Sequence, residues 1–154
     1  MLWEADSADV FMDVWVHCLE SHHHVYDHAA LRVFPRGLSA RNLMLTLGSG
    51  KRVTGFLSDW DFLDTKHHRD RTGGRAAFTF MAADRLVAHP PPHLYRHDLE
   101  SFFYILVWAA LHYDFPNRPR ASWVHHFADE WNVQTNVYAH SALSSACNSK
   151  QTLL

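Results

Sequence analysis

The stretch DLESFFYILVWAALH, Asp98 to His112, carries apolar side chains almost all the way round a helical wheel. A helix of that kind is unstable on a surface and predicts a central element packed on every side. The rest of the chain must then supply the surroundings. With 154 residues, 47% hydrophobic and 14% aromatic, it has the material. A chain of this length buries roughly 70% of its unfolded surface, and such a composition is not that of a disordered segment. The expected architecture is one mainly helical domain over residues 1–154.

A helix is predicted over 8–31, because Val10, Phe11, Val14, Leu19 and Val25 recur at helical spacing with no Gly or Pro among them. Pro35 and Gly37 then break the pattern. LMLTL (43–47) and RVTGFLSDW (from Arg52) read as two short strands around the flexible turn GSGK. They predict a small β-hairpin over 43–47 and 52–58. Residues 61–77 form a polar, basic loop centred on Gly73 and Gly74, and FTFMAADRLVA is a short helix or turn. HPPPHLYR is expected to be extended, since three successive prolines remove donors and bar the helical region. The central helix follows at about 98–112, and two weaker amphipathic segments lie around 121–131 and 136–147.

Charge and cysteine usage narrow the classes. The net charge is -2 with neutral histidines and the isoelectric point is near 6.7. A nucleic-acid partner would need a clustered basic face, and none is evident. The two cysteines, Cys18 and Cys147, form no CxxC, which disfavours a disulfide framework or zinc ribbon and fits an intracellular setting. MLWEADSADVFMDV carries acids where a signal peptide needs a basic start. The run ILVWAAL is far shorter than the ~20 residues of a membrane span. No membrane association is expected.

Three groups of residues could carry chemistry. Asn42 precedes Asp59 by seventeen positions, each beside a predicted strand. Two oxygen donors so placed could share a metal ion, or could be solvated loop residues. Asp98 stands at the predicted start of the central helix, where its carboxylate could cap the free first-turn amides. The fourteen histidines cluster at 22–24, 67–68 and 125–126. Imidazole suits zinc, copper or nickel, and His24 and His28 share a helix face at i and i+4. Residue 25 is Val, so no H-E-x-x-H protease motif is present, and incidental surface histidines are the plainer reading.

Taken together, four segments resemble the fungal-type protein kinases. HLYRHDLESFFYILVW is similar to the buried central helix of the kinase C-lobe, and DRTGGRAAFTFMAADRL to the activation segment, about 59–84. FLSDWDF resembles the metal-binding strand end. FPRGLSARNLML, within about 33–45, resembles the catalytic loop, a variant of H-R-D-x-x-x-x-N. The pieces follow the family's order over about 10 to 132. The resemblance implies a kinase-like C-lobe. It does not extend to an N-lobe, since no Gly-rich loop or strand lysine is recognisable.

By that resemblance, Asn42 and Asp59 match the pair that holds magnesium and, through it, ATP. Arg36 matches the catalytic-loop Arg and Ser39 the loop Ser. Arg36 could pair with a phosphate on Thr72 or Thr79, or form an ordinary salt bridge. Gly37 occupies the position of the catalytic base, and Pro35 that of the loop His. Asp98 matches the aspartate that tethers the catalytic loop through backbone amides. Proline has no amide hydrogen, so this tether would rest on Arg36 alone. Asp84 matches the Glu that closes the activation segment, with no partner Arg evident.

Glycine cannot accept a proton. A positioned base contributes about 10²–10⁴-fold in rate, and phosphoryl transfer depends on positioning and electrostatics for most of the remainder. The expectation is a kinase-like domain without phosphotransfer of its own. The alternatives are a scaffold whose protein partner covers the absent N-lobe face, and a histidine-based metal binder.

Overall fold

The computed structural model describes residues 1–28, 38–48, 52–58, 79–113, 115 and 146–152. The first helix, α1, is Ala8–His28. Ser7 starts it: its side-chain oxygen accepts the amide of Val10 at 3.2 Å, the bond a serine N-cap is suited to make. Asp9 in the first turn complements the helix dipole. Phe11, Val14, Cys18 and His22 form its buried stripe, while Val10 and Leu19 pack partly buried against the core. His22, grouped above with surface histidines, is 1% exposed. The helical period carries it inward, and a buried partner receives it.

The predicted hairpin is present. Strands β1 (Leu43–Leu47) and β2 (Val53–Leu57) pair antiparallel. The register runs from Leu43 opposite Leu57 to Leu47 opposite Val53. Its inner face lies on α1. A Cβ built on Gly55 would sit 2.3 Å from the backbone oxygen of Val14, so only glycine lets strand and helix approach this closely. The Gly55 amide is 3.3 Å from His17 Nδ1.

The central helix, α2, is Tyr95–His112. It starts three residues earlier than the predicted 98, within the segment expected to be extended. The three prolines do remain outside it, as residues 90–94 carry no regular structure. The expectation of a helix packed on every side also needs correction. Leu99 and Phe103 are 38% and 39% exposed, whereas the polar His97, Asp98 and Ser101 are buried. The polar side chains go inside because each finds a partner there. Phe102, Tyr104, Ile105 and Ala109 join Leu2, Phe11, Val14, Cys18, Leu43 and Leu57 in the main core. Trp15 ties α1 to α2: its ring meets Phe102 edge-on at 5.9 Å, and its Nε1–H donates to the Phe102 carbonyl at 3.1 Å.

Ahead of α2, Thr79 and the buried Phe80 are helical, and a 3₁₀ turn, Ala83–Arg85, follows them. Residues 146–151 form a short helix that packs Ala146 and Cys147 on Ala83 and Leu86. The described residues are thus mainly helical with one two-stranded sheet. The predicted segment 121–131, the loop 61–77 and most of 136–147 lie outside them. No helix among the described residues is long and apolar enough to cross a membrane.

Candidate functional site

Asp98 lies in the first turn of α2, past its N-cap, and does not cap the helix. The N-cap is Leu94, with extended backbone. The capping acceptor is a histidine: the Leu94 amide donates to His97 Nδ1 at 2.9 Å. That bond assigns the His97 proton to Nε2, which lies 3.1 Å from Asp84 Oδ1 and 3.3 Å from Oδ2. Burial holds the His97 imidazole below its usual range, outweighing the opposing pull of the Asp84 carboxylate.

Asp98 itself is 1% exposed. Its Oδ2 is 3.0 Å from His22 Nε2 and its Oδ1 is 2.8 Å from His93 Nε2. Burial alone would raise the carboxyl, but the hydrogen bonds from His22 and His93 overcome it, so the group is held below the ordinary aspartate range. Asp98 is therefore an anion at neutral pH and both imidazoles donate to it. His22 Nδ1 is buried without a hydrogen-bond partner, which is tolerable for a lone pair and costly for an N–H. The His22 proton accordingly belongs on Nε2. One carboxylate thereby joins α1, the extended stretch before α2, and α2 itself.

Asn42 sits one residue before β1, half-buried. Ser39 and Asn42 close a tight turn: the Asn42 amide donates to the Ser39 carbonyl at 2.9 Å, and the Arg41 amide donates to Ser39 Oγ at 3.2 Å. The hairpin register continues beyond the strands, since the Ser58 amide donates to the Asn42 carbonyl at 2.9 Å. Asp59 is the next residue along the chain and lies outside the described residues, as do Pro35, Arg36 and Gly37. Leu38, Ser39 and Ala40, which follow Gly37, are buried. In chemical type, Asn42 and Asp59 fit magnesium, a hard ion that takes oxygen ligands. Among the described residues no group of three His, Cys, Asp or Glu side chains is arranged to hold a metal ion.

The end of the activation-like segment is fastened from three directions. Arg96 Nη2 is 2.5 Å from Asp84 Oδ2, so the arginine partner not evident in the sequence lies twelve positions downstream, in the first turn of α2. Glu100 Oε1 accepts both the Ala83 amide at 2.7 Å and the Tyr104 hydroxyl at 2.6 Å. Lys150, wholly buried, donates to the Met81 carbonyl at 2.6 Å and lies 4.5 Å from the centre of the Tyr104 ring. Burial lowers its ammonium to about 7. Thr79, one of the two threonines considered as phosphate carriers, is 6% exposed. Burial pushes the Cys18 thiol up to about 12, which leaves it inert as a nucleophile.

Sequence reasoning singled out Asp98, Asn42 and Asp84 but missed His22, His93, Arg96 and Glu100. The signal for His22 was available: at i+4 from Cys18 it falls on the Phe11–Val14–Cys18 stripe.

No curated protein and no solved structure matches the chain. A family model, described as fungal protein kinase, matches residues 1–110. That span covers α1, the hairpin and nearly all of α2, and with it every residue of the Asp98 and Asn42 environments described above. The chain belongs to the fungal protein kinase family.

Proposed function

We propose that this chain is a kinase C-lobe-like module that does not itself transfer phosphate. The observation that carries the reading is Gly37, which stands at the base position of the catalytic-loop-like segment, with Pro35 in place of the loop His. Without a side chain at that position nothing takes the proton of an attacking hydroxyl, at a cost of about 10²–10⁴-fold. The Asp98 cluster supports the reading from a second side. Both oxygens of that carboxylate already receive imidazole protons, and Pro35 offers it no amide. Magnesium and ATP, which the family uses, would be held by Asn42 and Asp59. Magnesium leans on its waters and on substrate phosphates, so these two oxygens bind it weakly alone.

The test is phosphoryl transfer and hydrolysis measured with magnesium and labelled ATP on the purified chain. The expected result is no turnover above buffer. Turnover that Asp59→Ala abolishes would sink the proposal.

A second reading, a protein-binding scaffold, is favoured by one observation: Leu47 and Phe56 on the hairpin are 71% and 43% exposed. It expects self-association or partner capture at the hairpin, where these two side chains lie on opposite faces, lost in a Leu47→Ser, Phe56→Ser variant. A clean monomer at high concentration that binds no partner would count against it.

A further inference from the structure

Away from the Asp98 cluster, His24 and His28 stand exposed on one face of α1, one turn apart. Their rings stack with centroids 4.1 Å apart. His28 Nδ1 lies 2.9 Å from the His24 carbonyl oxygen. A carbonyl only accepts, so this contact places the His28 proton on Nδ1 and leaves Nε2 with its lone pair. Histidines that ligate metals are held in this way: one ring N–H is tied to a carbonyl, which fixes the tautomer and frees the other nitrogen to bind.

We propose that His24 and His28 form a two-imidazole site for a divalent transition ion of the zinc, copper or nickel class, with water in the remaining positions. Side chains at i and i+4 on a helix are about 5–6 Å apart at Cβ, the separation from which paired histidines grip one ion. Imidazole is a ligand these ions favour over magnesium or calcium. Both side chains are exposed, so the stacked rings can splay about an ion without disturbing the core. No third His, Cys, Asp or Glu completes the set among the described residues, and the site is therefore exchangeable. Its consequence is local: the ion bridges the last turn of α1, the turn that runs on into residues 29–37. This inference does not depend on the reading of Gly37.

Calorimetric titration of the tag-free full chain with zinc and nickel chlorides tests it, using His24→Ala, His28→Ala and, as control, His23→Ala. The original chain should show one site that either of the first two variants weakens about tenfold or more, since losing a ligand costs at least what losing an outer-shell partner does. His23→Ala should leave that site intact. Imidazole NMR gives a second reading: zinc should shift His28 Nε2 while the proton stays on Nδ1. Binding unchanged in both variants, or no binding by the original chain, overturns the proposal.

Discussion

Asp98 shows how a single side chain can be legible in kind and misread in role. Its position after HPPPHLYR suggested a cap, yet α2 begins at Tyr95 and the capping acceptor is His97. The bond from the Leu94 amide back to the third helical residue was not read because Glu or Gln is the usual acceptor there. Removing the carboxylate takes the acceptor from the buried Nε2–H of His22 and from the half-buried Nε2–H of His93. Asp98→Ala is expected to destabilise the fold by about 1–3 kcal/mol, measured as a lowered denaturant midpoint. His97 makes a pH prediction. Its folded-state affinity for a proton is below that of the unfolded chain, so the unfolded state gains protons first as pH falls. Stability should therefore decline as pH drops through 6.5, the ordinary histidine value. His97→Asn should remove that part of the decline, followed by thermal unfolding between about pH 7.5 and 5.5.

Among the elements, the hairpin was the most readable. LMLTL and VTGFL alternate around a Gly-rich turn, and period-two patterning fixes both faces and register. The close approach of β2 to α1 was not readable, because it depends on the partner of Gly55 rather than on Gly55 itself. Gly55→Ala would drive a methyl into the Val14 backbone. The expected cost is about 1–3 kcal/mol, and a stability equal to the original would contradict the packing described. The helices show the complementary limit. Periodicity located α1 and α2, but hydropathy alone assigned polar residues to the outside. His22, Asp98 and Ser101 lie inside because hydrogen bonds satisfy them there, and such pairings join positions 76 residues apart.

For the whole molecule, family membership was legible from four short motifs. The contacts that fasten residues 79–86 to the rest were not, since Arg96, Glu100 and Lys150 reach them from later in the chain. Lys150 gives this fastening a pH signature. Its ammonium is lowered to about 7 from 10.5, so between those values the unfolded state binds the proton and the folded state releases it. Stability should rise as pH climbs from 7 towards 10, and Lys150→Met should flatten the rise in a denaturant series. The described residues are held together at one buried carboxylate that clamps α1, the proline-bounded stretch and α2. Imidazole nitrogen NMR of the full chain at neutral pH tests that clamp most directly. His22 should carry its proton on Nε2, and the signal should move when Asp98 becomes Asn. A proton on Nδ1, or a His22 signal indifferent to the Asp98→Asn change, would contradict it.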